Sequence, residues 1–293
     1  MSFLNPVNEP VLRFSSTDAG APQINYNARA AGDVKAVLKA CLVTGYGTTA
    51  SAGWSAVNEV ANVIEFVSPS AAMSDYRLGI SDVSTSSTEW YYTEKDSRVN
   101  PTNRTPTKSF DGINATSDKN GWQLFATTRG LYFVELVYSV AAGDLSARLT
   151  FFGQSKVTLQ DALGKNIGFF NIGHSAATDT HLFYNNAGKN TKISTFANLQ
   201  MMSLFFSLNS SASFITNVDI VSPLWLSDYS AILGEQVGLL ERRVASKSSV
   251  YGSSDAMLSN RPVFMFCLGY HSSGEAQYLN ARPAAIRTDY WEY

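Results

Sequence analysis

The chain has 293 residues, of which 16% are Asp, Glu, Lys or Arg and 12% are aromatic. Soluble domains average roughly a quarter charged residues, so this exterior must be built largely of Ser, Thr, Asn, Gly and rings, as suits a subunit covered by neighbours. With 22 basic against 24 acidic residues and a formal net charge of -2, the chain lacks the basic footprint that phosphate-backbone binding needs, and no nucleic-acid partner is expected.

The start, Met1 to Pro6, lacks the basic region and long apolar run of a secretory signal, so no export is expected. An amphipathic helix is predicted to begin near Gly32-Asp33, because Val34, Val37, Leu38 and Cys41 share one face at i, i+3, i+4, i+7 spacing. Lys35 and Lys39 fall opposite, and Gly45-Tyr46-Gly47 stops the helix with residues tolerant of positive φ. The period then changes to two. Tyr76, Leu78 and Ile80 alternate with other residues as in a strand with one wet face. Trp90-Tyr91-Tyr92, as a strand, sends adjacent rings to opposite faces, so at least one is expected to point away from the local core.

Residues 97–121 carry the turn-forming pairs Asn100-Pro101 and Asp111-Gly112 and read as a long loop or projecting arm. Leu131 to Tyr138 is apolar on both faces, which suits a central strand or one covered by another subunit. The run from Leu131 to Ala142 contains Glu135 and is shorter than the roughly 20 residues of a spanning helix, so no membrane partner is expected. Leu145, Ala147, Leu149 and Phe151 alternate with Ser146, Arg148 and Thr150, a strand with a wet face; Met202, Leu204, Phe206 and Leu208 repeat the pattern. A second helix is predicted across Ser227 to Leu240, weakened by Gly234 and Gly238. Val263 to Leu268 reads as another two-sided strand, and the tail, residues 289–293, places Tyr290, Trp291 and Tyr293 close together. These rings either dock on their own domain or anchor a neighbouring subunit. Together the elements predict an α+β, mainly β fold: antiparallel sandwich-like sheets, one N-terminal helix and long loops, in a single domain over residues 1–293.

Chemical motifs are absent or out of context. Gly45-Tyr-Gly47-Thr-Thr-Ala50 satisfies a loose dinucleotide pattern, with Glu65 near the position of a ribose-binding acid, but the helical period precedes the glycines instead of following them. Gly164-Lys165 is followed by Asn166, so no phosphate loop is formed. His174, His181 and His271 have no Cys or carboxylate partners at ligand spacing, and acids such as Asp179 and Asp228 stand alone. Cys41 and Cys267 lie far apart in apolar stretches and read as two buried thiols. The sequons at Asn103, Asn114 and Asn209 are expected by chance in so Asn-, Ser- and Thr-rich a chain. No catalytic residue, cofactor or metal is therefore predicted, and the protein is expected not to be an enzyme. The candidate interface residues are Trp90, Tyr91, Tyr92, Tyr290, Trp291 and Tyr293.

The run Thr17 to Gln23, then Gly32 to Gly47, then Ala52-Gly-Trp54 resembles the opening of a group of tailed-bacteriophage virion structural proteins. Phe66-Val-Ser-Pro69 and Asp75-Tyr-Arg-Leu-Gly79 are similar to the strand pair that follows in them. The resemblance covers the first eighty to ninety residues and fades beyond them. It implies a non-enzymatic tail, neck or capsid accessory component, a symmetric homo-oligomer that contacts other virion proteins and is assembled in the host cytoplasm. The alternative is a receptor- or glycan-binding appendage of the tail, in which Trp90, Tyr91, Tyr92 and Trp122 would stack on a host-surface glycan.

Overall fold

The structure, a computed structural model, describes residues 7–26, 28–85, 87–94, 97–99, 104–106, 120–139, 144–154, 167–172, 181–186, 189–193, 220–227, 232–243, 253–258, 260–268 and 282–293. Two short strands, β1 (Asn8–Pro10) and β2 (Leu12–Ser15), precede helix α1 (Asp33–Lys39), which runs on into a π-helical turn over Ala40–Thr44. A six-stranded antiparallel sheet follows, made of β3 (Ser55–Val60), β4 (Val63–Val67), β5 (Tyr76–Ser81), β6 (Ser87–Glu94), β7 (Ser97–Val99) and β8 (Arg104–Pro106).

The next strands are β9 (Gly121–Ala126), β10 (Gly130–Ser139), β11 (Asp144–Gln154), β12 (Ile167–Ile172), β13 (His181–Asn186) and β14 (Lys189–Ile193). They are followed by β15 (Ile220–Ser227), β16 (Ile232–Arg243), β17 (Ser254–Leu258), β18 (Arg261–Leu268), β19 (Arg282–Arg287) and β20 (Tyr290–Glu292). All of these except β20 join β2 in a twelve-stranded sheet that branches at β11. Its ladders are antiparallel apart from a single parallel bridge between Ala147 and Leu268. β20 pairs instead with β1, in a two-stranded ribbon of its own. The fold is thus mainly β, as predicted, with one α-helix among the described residues.

Strand alternation explains the layering. On β10, Leu131 and Phe133 face one core while Tyr132, Val134 and Leu136 face another. On β9, Trp122 and Leu124 belong to the first core and Phe125 to the second. The first core joins this central layer to α1 and the six-stranded sheet, with Trp90 against Phe133 at 6.0 Å and Trp54 against Phe152 at 6.2 Å. The second joins it to β16, β18 and β19, with Phe125 against Phe264 at 5.4 Å. The two-sided reading of residues 131–138 is explained by a strand held between β9 and β11.

α1 buries Val34, Val37 and Leu38, and Cys41 follows on the same face. The helical stretch ends at Gly45, whose φ of 75° and whose close approach to the Thr49 carbonyl leave no room for a Cβ. Burial raises the Cys41 thiol far above its ordinary pKa, so it rests as the neutral thiol. Cys267 lies on β18.

Three expectations change. The helix predicted over Ser227 to Leu240 is instead β15 and β16, paired antiparallel from Ile220 with Arg243 to Ser227 with Ile232. Val237 and Leu239 point together into the second core at strand spacing, so tertiary pairing overrides a helical pattern that two glycines had already weakened. The wet face predicted for residues 145–151 is dry: Arg148 and Thr150 are 4% and 3% exposed, because the six-stranded sheet and α1 cover that side. Arg148 stands directly opposite the equally buried Glu135 across the β10–β11 ladder. The stretch 97–121 is not wholly an arm, since β7 and β8 fold back onto β6 and β9 begins at Gly121. The repeat at Met202 to Leu208, and His174, His271, Asp179, Asp228 and the three sequons, lie outside the described residues.

Candidate functional site

Three polar assemblies hold the described surfaces and cores together. The first is at the start of α1. The Asp82 carboxylate, fully buried, accepts the amides of Val34 at 2.9 Å and Lys35 at 3.2 Å, so a residue from the end of β5 caps the helix. Its other oxygen takes the Arg29 guanidinium, and Thr88 contacts both partners. The Arg29 side chain is 3% exposed, and among the described residues its Nε and Nη1 have no hydrogen-bond partner. Nearby, Tyr26 donates to the Gly121 carbonyl at 2.9 Å. Burial first, and then the Glu135 carboxylate, push its phenol well above the ordinary range.

The second assembly lies on the six-stranded sheet. Glu65, 7% exposed, accepts Asn58 Nδ2 at 2.7 Å and Thr93 Oγ1 at 3.1 Å, with Arg77 3.6 Å away.

The third joins the two ends of the described chain. Val7 and Tyr293 exchange backbone hydrogen bonds at 3.1 and 3.0 Å, and Val11 N–H donates to the Asp289 carbonyl at 3.0 Å. Glu9 accepts Arg129 Nε at 2.6 Å and the Thr128 amide at 3.1 Å. The Arg129 guanidinium lies 5.2 Å from the Tyr293 ring centre, and the Tyr293 hydroxyl meets Thr127 Oγ1 at 2.7 Å. From the other side Arg261 grips Asp289 at 2.7 and 2.9 Å, reaches Glu292 at 3.2 Å and stacks 3.7 Å from the Tyr290 ring centre.

Burial alone would raise the Asp289 carboxyl, but the hydrogen bonds from Arg261 and the Tyr290 amide outweigh it and hold the group below its ordinary value. The folded state therefore favours the ionised form. Its stabilising contribution is complete above the unfolded carboxyl value of about 3.9 and disappears as pH falls through the lower folded value. Urea melts of wild type and Asp289→Asn are expected to differ by a constant amount at neutral pH, with the gap closing below about pH 4. A gap that persists unchanged at acid pH would show that the ion pair is not its source.

The six rings selected from the sequence as interface candidates lie mostly inside the chain's own fold. Trp90, Tyr91 and Tyr92 are 1%, 2% and 4% exposed; Trp90 and Tyr92 enter the first core, and Tyr91 lies over Gly79 on the opposite face of the sheet. Trp291 is fully buried and Tyr293 is 9% exposed, while Tyr290 is half-buried beneath Arg261. The tail thus docks on its own domain, the first of the two placements its sequence allowed. The large apolar side chains exposed among the described residues are Val7, Leu12, Val60, Val83 and Met257. None was singled out by sequence, because isolated aliphatic residues carry no pattern that separates surface from core.

Apart from Glu65, Tyr290 and Tyr293, which the sequence singled out for other reasons, the charged residues of the three polar assemblies were also missed. Glu9 and Arg129 are 120 positions apart, and Arg29 and Asp82 are 53 apart; only the fold brings each pair together. Among the described residues no group of three His, Cys, Asp or Glu side chains could hold a metal ion. No helix of the described residues is long and apolar enough to cross a membrane. Chemically, these assemblies can brace layers and tie residues 7–11 to residues 289–293; the geometry is that of a mainly β fold of several sheets. No family model, no curated protein and no solved structure matches the chain.

Proposed function

We propose that the protein is a non-enzymatic structural component of a tailed-bacteriophage particle, a tail, neck or capsid accessory protein that works as a symmetric oligomer in contact with other virion proteins. The observation that carries this reading is a charge content of 16%, part of which is engaged in internal ties such as Arg29–Asp82, Glu9–Arg129 and Arg261–Asp289. With so few charges and a formal net charge of -2, copies of the chain can approach one another without strong mutual repulsion.

The segments that resemble virion proteins also form one interlocked unit. Tyr46 donates to Asp18 at 2.7 Å, Gly47 packs against the Ala19 carbonyl, and the Trp54 amide donates to the Leu42 carbonyl at 2.9 Å. Residues that depend on one another in this way are a coherent basis for a resemblance. The alternative of a glycan-binding appendage loses the residues assigned to it, since Trp90, Tyr91, Tyr92 and Trp122 are all buried and offer no platform for a sugar ring.

Two measurements test the proposal. Sedimentation velocity at tens of micromolar is expected to give a discrete oligomer, and mass spectrometry of particles produced by the host is expected to find the chain in the particle fraction. A chain that stays monomeric and is absent from particles would overturn it.

A further inference from the structure

We infer that β1 is an exchangeable strand: the segment that pairs with β20 in one copy takes the same place on a second copy of this chain. The inference deepens the oligomer reading above and rests on it.

The two halves of the ribbon are held very differently. β20 is fixed to the body by Trp291, fully buried in the second core, by the Tyr293–Thr127 contact and by the Arg261 grip. β1 has almost no such anchorage. Val7 is 45% exposed, Asn8 and Pro10 are exposed, and only Glu9 is half-buried. What holds β1 is its three-residue ladder to β20, the flanking backbone bonds of Val7 with Tyr293 and of Val11 with Asp289, the polar contacts of Glu9 with Arg129 and Thr128, and the edge of the second core, against which Val11 is partly buried. A single residue, Val11, separates it from β2, which is secured on β9 by Phe14 at 1% exposure. Releasing β1 therefore uncovers little apolar surface but leaves the inner strand of the ribbon with unpaired N–H and C=O groups, a ready template for an identical segment. Exchanged and closed forms make the same contacts, so a short connector and a high local concentration of copies decide between them.

Glu9 and Arg129 make the inference testable, because each lies on one side of the exchange. Glu9→Arg places two cations in the clasp and Arg129→Glu places two anions there, so neither chain closes its own ribbon favourably. In an exchanged pair of the two variants both clasps are restored: the cation introduced on β1 of one chain meets the anion introduced just before β10 of the other, and the second clasp is the wild-type pair.

The two variants, co-expressed so that neither must persist alone, are expected to co-purify as a mixed dimer on size exclusion. Each variant expressed by itself should show a lower melting temperature and no such peak, and the doubly reversed single chain E9R/R129E should behave as wild type. Recovery in the doubly reversed chain without any mixed dimer would overturn the exchange while leaving the oligomer reading intact. Absence of association by wild type as well as by the mixture would overturn both.

Discussion

Asp82→Ala is expected to destabilise the protein by about 3–5 kcal/mol, the range for removing one partner of a buried ion pair. The loss has two parts. The Arg29 guanidinium, 3% exposed, keeps its charge without a counter-ion, and the first amides of α1, at Val34 and Lys35, lose their shared acceptor. Asp82→Asn retains an oxygen for the amides and is expected to cost less. The double variant Arg29→Met with Asp82→Ala should cost less than Asp82→Ala alone, since the stranded charge is then gone. Urea denaturation followed by tryptophan fluorescence separates these cases. A loss for Asp82→Ala under about 1 kcal/mol would mean that the pair behaves as a solvated one and does not brace the helix.

A second substitution of comparable effect lies at Gly238. Its φ is 68°, and a Cβ added there would overlap Nε1 and Cδ1 of the Trp291 indole. Alanine at this position forces the indole out of a site where it is fully buried, lies 5.1 Å edge-on from Tyr132 and donates to the Arg287 carbonyl at 3.0 Å. The cost is expected to approach that of Trp291→Ala itself, about 3–5 kcal/mol for emptying a large aromatic site. Because both changes act on one cavity, the double variant should fall well short of their sum. Thermal melts and the emission maximum of tryptophan check this, with a red shift expected in Gly238→Ala. Wild-type melting of Gly238→Ala would show that the ring does not sit over the glycine.

Legibility of the fold in the sequence follows the range of the forces involved. α1 was readable because Val34, Val37, Leu38 and Cys41 carry a helical period and glycines end it locally. β10 was readable as two-sided because its apolar run, broken only by Glu135, shows no regular polar alternation. β16 was not, because Val237, Leu239 and Leu240 fit a helical stripe as well as a strand, and the choice is made by pairing with β15 and β19. Arg148 and Thr150 misled for a related reason: polar residues at alternate positions mark a wet face only if no second sheet lies over it. At least one ring of β6 was expected to point away from the local core, and the tail rings either to dock on their own domain or to anchor a neighbour; Trp90, Tyr91, Tyr92 and Trp291 are buried within the chain's own fold, which only the packing of distant segments decides. As for the candidate site, Glu9, Arg29, Asp82 and Arg261 look in sequence like any other scattered charges, and their pairing exists only in three dimensions.

The central layer of β9, β10 and β11 belongs to two cores at once, and it assigns side chains to them by parity. Deleting one residue midway along β10 would therefore exchange the two sets of side chains beyond the cut, sending each into the interior built for the other and spoiling both together. Neither half of the molecule can slip, melt or evolve its interior alone, because they share a common wall. Such a protein tolerates change at its rims and almost none in the middle, which is how a rigid brick differs from two hinged plates.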